Sequence, residues 1–181
     1  MNLANKLTIF RIILVPVFMI FLLTNIKYGQ YIASGTFIIA AITDQLDGHI
    51  ARSRNMVTKF GKFMDPLADK LLVSAALISL TGMGVISAWI TVIIISRELA
   101  VTGLRVLAAS EGIVLAASWW GKIKTITQMI GIILVLLNNF PFSFANIPMD
   151  MILIWLSAAF TIISGVDYFY KNKNVFVLNT N

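Results

Sequence analysis

The run Leu7-Thr-Ile-Phe-Arg11-Ile-Ile-Leu-Val-Pro16-Val-Phe-Met-Ile-Phe-Leu-Leu23 contains one basic residue, no acid and no glycine. A helix crosses the hydrocarbon core of a bilayer in roughly 20 mostly apolar residues. The run is nearly that long, and too long for a buried strand, so it predicts a membrane-spanning helix. Five further apolar stretches follow it, at about 31–51, 67–86, 89–109, 123–137 and 147–168. Asn25, Gly29, Gly82, Gly84, Gly112, Asn138, Asn139, Pro141 and Pro148 punctuate them. Lys6 and Arg11 give the start the look of a signal peptide, but no small-x-small cleavage site follows and Lys27-Tyr28 lead into the next stretch. A retained helix is expected. The fold class expected is all-α, a polytopic membrane protein of six transmembrane helices forming one integral-membrane domain over residues 1–181.

Composition agrees with that reading. Of 181 residues, 59% are hydrophobic and only 12% charged, against about 45–50% and about 25% in soluble domains. Mean hydropathy is +0.89. Disorder, collagen, coiled coil and a disulfide scaffold are excluded, and with no cysteine there is no thiolate chemistry to consider. The net charge of +6 would favour nucleic acid in a soluble protein; here a membrane surface or an anionic substrate is the better match.

The placement of those charges orients the chain. If six spans alternate, Lys6, Arg11, Arg52, Arg54, Lys59, Lys62, Lys70, Arg97, Arg105, Lys122, Lys124, Lys171 and Lys173 share one side, and Lys27 stands alone on the other. Thirteen of the 14 basic residues on one side place both termini in the cytoplasm by the positive-inside rule.

Half of the eight acids fall in one short segment: Asp44-Gln-Leu-Asp47-Gly48-His-Ile-Ala51-Arg52, then Gly61-Lys-Phe-Met-Asp65-Pro-Leu-Ala-Asp69. On helices, Asp44 and Asp47 (i,i+3) share one face, and Asp65 and Asp69 (i,i+4) share another. The run from Ser53 to Phe60 can turn the chain between them, so the two pairs are expected to meet near the cytoplasmic end of the membrane. From Tyr31, Asp44 lies roughly 20 Å along the second span, in its inner third. Four carboxylates gathered in low dielectric do not all stay ionised without cations. Their hard oxygens suit Mg²⁺, or Mn²⁺ in its place. Two such ions about 3.5–4 Å apart would clamp a pyrophosphate for in-line displacement. The plainer reading pairs these acids with Arg52, Lys62 and Lys70 as a solvated loop, but ionisable groups kept at membrane depth are functional by default. Gly48, Ala51 and Gly61 leave bare helix surface beside the acids, for close packing or for the approach of a flat base and ribose.

The string Asp44-x-x-Asp47-Gly48-x-x-Ala51-Arg52-x8-Gly61-x-x-x-Asp65-x-x-x-Asp69 resembles the CDP-alcohol phosphotransferase signature at every defined position. The resemblance implies a six-helix, usually homodimeric membrane enzyme with a two-metal site, which moves a phosphatidyl or related group from a CDP-linked donor to an alcohol and releases CMP. It implies Asp44, Asp47 and Asp65 as metal ligands and Asp69 as a metal-proximal residue and general base. It implies Gly48, Ala51, Arg52 and Gly61 as contacts of the cytidine diphosphate, with Asn5 added to the donor site.

A second basic group bears on the acceptor. Ser96-Arg97-Glu98-Leu-Ala-Val-Thr102-Gly103-Leu-Arg105 lies in the fourth stretch, and Gly121-Lys122-Ile-Lys124-Thr125 opens the fifth. Arg97 and Arg105, eight residues apart, lie loosely on one helix face. A guanidinium as deep as Arg97 costs a few kcal/mol without a counter-charge. Glu98 is its neighbour, but adjacent helix side chains diverge, which leaves an anionic ligand as the natural partner. Arg97, Arg105, Lys122 and Lys124 are therefore candidate ligands of the phosphate of an acceptor, although the lysines also read as anchors snorkelling to the interface. A phosphorylated alcohol fits better than choline, ethanolamine or serine. Asn5-Lys-Leu-Thr8-Ile-Phe-Arg11, the two basic strings and Ser164-Gly165-Val-Asp167-Tyr168-Phe169-Tyr170 resemble the bacterial branch of the family that uses sn-glycerol 3-phosphate. That implies transfer from CDP-diacylglycerol in a bacterial plasma membrane, with the active site facing the cytoplasm. Another acceptor such as inositol phosphate is the same-family alternative, and a cation transporter is the alternative of a different class.

Overall fold

The computed structural model describes residues 3–24, 26–53, 59–110, 112–113, 115–116 and 118–173, with the side chains of 3–5, 44–53, 59–66 and 69 outside the description. Among the described residues all regular structure is helical: α1 (Leu3–Leu23), α2 (Gly29–Ser53), α3 (Lys59–Gly82), α4 (Ala88–Ser110), α5 (Trp119–Leu136), a single 3₁₀ turn (Phe142–Ala145) and α6 (Met149–Lys171). Each expected apolar stretch lies on one of the six long helices. The largest departure is α3, which begins at Lys59 rather than near Leu67. Hydropathy marks what lipid would hold, whereas backbone hydrogen bonding carries the helix on through the polar residues before it.

The helices form two compact units. The first comprises Met1–Ile86 and Ile133–Pro141, and in it α1 packs against both α2 and α3. Its core is built on Phe18 and Phe37, whose rings lie 5.8 Å apart and tilted by 51°. Leu22, Leu72, Leu77 and Leu80 fill around them, while Ala33, Ala40 and Ala76 let the backbones close. Gly29 is required where α2 starts, because a Cβ there would stand 2.5 Å from the carbonyl oxygen of Phe21. The last carbonyl of α5, on Leu136, has no acceptor role left within its own helix. It accepts instead from Gln30 Nε2 and Ser34 Oγ, both at 3.0 Å. Gln30 Nε2 also donates to Asn138 Oδ1 at 2.9 Å.

The second unit comprises Ser87–Ile132 and Phe142–Asn181. Here α4 packs along α6, and Gly131 of α5 meets α6, where a Cβ would lie 3.1 Å from Ile154 Cδ1 and 3.3 Å from its backbone nitrogen. The α6 hydroxyls of Ser157 and Thr161 are buried yet satisfied, donating to the carbonyls of Ile154 (2.8 Å) and Ser157 (2.6 Å). Such back-bonding lets hydroxyls face an apolar interior.

Lys6–Leu23 and Met149–Lys171 are long and apolar enough to cross a membrane, and only 28% and 33% of them is buried inside the protein. A core helix of a soluble protein would be mostly buried. The outward residues are instead large and apolar: Ile13 and Ile20 on α1, Leu99 and Val106 on α4, Trp155 and Val166 on α6. Exposed apolar faces of that extent mark a surface that another apolar phase or partner covers. Gly29–Thr43 and Lys70–Gly82 are shorter apolar segments of α2 and α3, and α4 is interrupted by Arg97, Glu98 and Arg105.

Candidate functional site

The carboxylates come from the first unit. Asp44 and Asp47 lie on α2, and Asp65 and Asp69 on α3, as their spacing predicted for helices. Their side chains lie outside the described residues, as do those of Asn5, Gly48, Ala51, Arg52 and Gly61. What can be tested is the donor set. Four carboxylates and no sulfur or nitrogen match a hard divalent cation. Among the described residues no group of three or more His, Asp or Glu is placed to hold a metal ion; the four aspartates lie outside that set.

The basic residues come from the second unit, and the structure places each one differently. Arg97 leaves α4 between two glycines of neighbouring helices. A Cβ on Gly165 of α6 would lie 3.3 Å from Arg97 Cγ, and one on Gly121 of α5 would lie 3.6 Å from Nη2. The two glycines thus make the passage through which the side chain runs. Arg97 Nη1 lies 3.8 Å from Glu98 Oε1, so the neighbouring carboxylate does reach it. The expectation of divergence fails because both side chains are long, so head groups can approach even where the Cβ atoms point apart. That distance exceeds a hydrogen bond, and Arg97 Nε is buried with no hydrogen-bond partner among the described residues.

Lys124 is buried, 2% exposed, and its Nζ is hydrogen-bonded and ion-paired to Glu98 Oε1. Arg105 is exposed and donates from Nε to the hydroxyl of Tyr168 at 3.0 Å. Tyr168 is itself fixed, 1% exposed, in a cluster with Val101, Leu104 and Ala108. Lys122 sits on the exposed start of α5 with its ammonium 5.7 Å from the centre of the Trp119 ring.

Two arginines of α4 therefore rest on one face of α6, Arg97 at Gly165 and Arg105 at Tyr168, in the same order along both helices. The α-carbons at 97 and 105 are about 12 Å apart along α4, whereas three residues of α6 span about 4.5 Å. Helical side chains lean toward the N-terminus, which draws the Arg105 head group back toward Arg97. Beside Arg97, an open cleft of about 330 Å³ between α4 and α6 is lined by Ser96, Arg97, Thr161 and Gly165 together with apolar side chains such as Ile93 and Phe169. The arrangement offers guanidinium donors to an anion at the edge of an apolar cleft. Glu98 and Tyr168 were not among the residues singled out for this group. Glu98 is the acid beside Arg97, and Tyr168 stands in a quoted string, but no local pattern ties either to its partner 26 or 63 residues away.

A model of the CDP-alcohol phosphatidyltransferase family matches residues 1–163. The chain is 48% identical to a CDP-diacylglycerol–glycerol-3-phosphate 3-phosphatidyltransferase of Bacillus subtilis, across 94% of this chain and 95% of that one. It is 41% identical to a probable phosphatidylglycerophosphate synthase of Mycobacterium tuberculosis, across 92% and 79%. A Rickettsia felis protein bearing the same name as the Bacillus enzyme is 35% identical across 97% of both chains.

Proposed function

The chain belongs to the CDP-alcohol phosphatidyltransferase family, and from that premise we propose that it transfers the phosphatidyl group of CDP-diacylglycerol to sn-glycerol 3-phosphate, giving phosphatidylglycerol phosphate and CMP. The observation that carries the acceptor is Arg97, whose buried Nε has no hydrogen-bond partner among the described residues and whose nearest described carboxylate stays beyond hydrogen-bond range. A phosphate monoester supplies the missing acceptor oxygens, and choline or ethanolamine does not. The names of the relatives point to the same acceptor.

In this reading Arg97 and Arg105 hold the phosphate of the acceptor, with Lys122 at the rim. Tyr168 keeps the Arg105 guanidinium directed, and the glycine passage fixes Arg97. Asp69 takes the proton of the C1 hydroxyl as that oxygen attacks the β-phosphorus of the donor. The new oxygen–phosphorus bond forms as the bond to the CMP oxygen breaks, and CMP carries off the electron pair. Asp44, Asp47, Asp65 and Asp69 would hold divalent ions, two Mg²⁺ or Mn²⁺, which supply charge neutralisation for the pyrophosphate and the departing CMP. Gly48, Ala51, Arg52, Gly61 and Asn5 would form the donor site. Positioning and charge stabilisation then supply most of the rate. The chain would lie in a bacterial plasma membrane as one domain of six spans, with both termini and the active site on the cytoplasmic side, as a homodimer. The one-sided basic residues and the lipid-facing apolar surfaces support that placement.

The test is CMP release by the purified protein in detergent with CDP-diacylglycerol and Mg²⁺, comparing glycerol 3-phosphate, inositol phosphate and unphosphorylated glycerol. Release is expected with glycerol 3-phosphate and not with glycerol, and is expected to be lost in Asp69→Asn. Equal release with inositol phosphate would refute the acceptor assignment.

A further inference from the structure

Lys124 was expected among the ligands of the acceptor phosphate, but its surroundings fit another task. We infer that Lys124 and Glu98 form a positioning pair that keeps the Arg97 guanidinium available to an anion, and that Lys124 does not itself touch the acceptor. The inference rests on the reading above that this cluster receives a phosphorylated acceptor.

Three observations carry it. The Lys124 ammonium is withdrawn from solvent and engaged by Glu98 Oε1. That same oxygen is the one facing Arg97 Nη1, at 3.8 Å. And Arg97 Nε, although buried, is bonded to nothing described. A carboxylate beside an arginine ordinarily closes on it, often through two parallel hydrogen bonds, because the fork of the guanidinium matches the two oxygens. Here the carboxylate is held by the lysine of the next helix, so it stops short of the guanidinium. Within the Lys124–Glu98 contact the two charges offset each other, so Glu98 draws less on Arg97 and its donors. Without Lys124, Glu98 would close on Arg97 and compete with the acceptor. Without Glu98, the carboxylate that stands between the Lys124 ammonium and Arg97 is gone, and the two cations repel each other more strongly beside Gly121 and Gly165. With both made neutral, neither disturbance remains.

That logic gives an ordering that a direct ligand would not. The full chain, purified in detergent, is titrated calorimetrically with inorganic phosphate and with glycerol 3-phosphate, and the wild type is compared with Lys124→Met, Glu98→Gln, the double variant and Arg97→Gln. Lys124→Met is expected to weaken phosphate binding by about tenfold or more, and the double variant to return to within about threefold of wild type, as coupled neighbours behave in a double-mutant cycle. Adding Lys124→Met to Arg97→Gln is expected to cost nothing further, because the lysine acts through that arginine. In turnover, the KM for glycerol 3-phosphate should rise in Lys124→Met while the KM for CDP-diacylglycerol stays put; a merely structural loss would lower the active fraction without moving either. If Lys124→Met alone does not fold, the double variant decides against wild type directly. A loss of about tenfold in the double variant, or an equal loss from Lys124→Met with and without Arg97, makes the lysine a ligand and overturns the inference. Phosphate binding reports on the cluster whichever alcohol is the acceptor. A wild type that binds phosphate but makes no lipid from glycerol 3-phosphate overturns only the acceptor assignment. A wild type that binds no phosphate overturns both.

Discussion

Replacing Gly165 by alanine and then by valine asks whether the surface of α6 sets the position of Arg97. A Cβ at 165 would stand 3.3 Å from Arg97 Cγ, tighter than ordinary van der Waals contact, so the stem of the arginine must move by a few tenths of an ångström. Gly121 borders the other end of the side chain and limits where it can go. For stability the two effects of alanine oppose each other: a helical Gly→Ala gains about 1 kcal/mol in propensity, and overpacking costs about 1–3 kcal/mol. The net change is expected to lie between zero and about 2 kcal/mol, leaving the protein folded. Function is more sensitive, since displacing a group that positions substrate by about 1 Å can cost about 100-fold. A shift of a few tenths, carried out to the guanidinium, is therefore expected to raise the KM for glycerol 3-phosphate about three- to tenfold in Gly165→Ala. The branched valine, which also brings a γ-carbon toward the arginine, should raise it about 30-fold or more. The assay is initial-rate CMP release at saturating CDP-diacylglycerol, with thermal unfolding in the same detergent as the folding control. A valine variant with the wild-type KM for glycerol 3-phosphate would refute the idea that the passage positions Arg97. An equal rise in the KM of both substrates would show general disruption instead.

Tyr168→Phe removes the acceptor of the Arg105 hydrogen bond but keeps the buried ring, and a bond to a charged donor is worth up to about 1.5–3 kcal/mol; the KM for glycerol 3-phosphate should rise, with a fall in the unfolding midpoint no larger than that bond accounts for, and an unchanged KM would remove Tyr168 from the site. Gly29→Ala sets a Cβ 2.5 Å from the Phe21 carbonyl oxygen, a backbone atom that cannot step aside, so the unfolding midpoint should fall clearly, by the equivalent of about 3 kcal/mol; an unaltered midpoint would mean that α1 and α2 meet less closely. Phe18→Ala empties the centre of the first core, where the ring is wholly buried against Phe37, at a cost of about 3–5 kcal/mol; a loss below about 1 kcal/mol on chemical denaturation would contradict that core. Treatment with EDTA should abolish CMP release and added Mg²⁺ or Mn²⁺ restore it; full activity in the chelator would rule out the proposed role of the four aspartates.

The helices were legible because their signal is local. Long apolar runs mark the helices, and Gly84 and Gly112, both at positive φ, close α3 and α4 where turns were expected. The start of α3 was not legible from hydropathy, since the residues from Lys59 onward are helical without being apolar. The acid motif stands on α2 and α3, as its helical spacings predicted, while the chemistry of its side chains remains a proposal. The basic group was legible only as a list of charges. Which of them is free for a ligand depends on partners distant in sequence: Glu98 takes up Lys124 across helices, Tyr168 holds Arg105, and Trp119 lies under Lys122. Gly121 and Gly165 stand in the quoted strings without a role of their own, yet both border Arg97, because a missing Cβ signals nothing until the atom that fills its place is known.

The most direct test of the central claim is the identity of the lipid made by the purified protein from CDP-diacylglycerol and radiolabelled sn-glycerol 3-phosphate with Mg²⁺, read by mass spectrometry alongside the CMP released. Phosphatidylglycerol phosphate and CMP in equal amounts, both lost in Asp69→Asn, are the predicted result. No labelled lipid, or the same yield from Asp69→Asn, would contradict it.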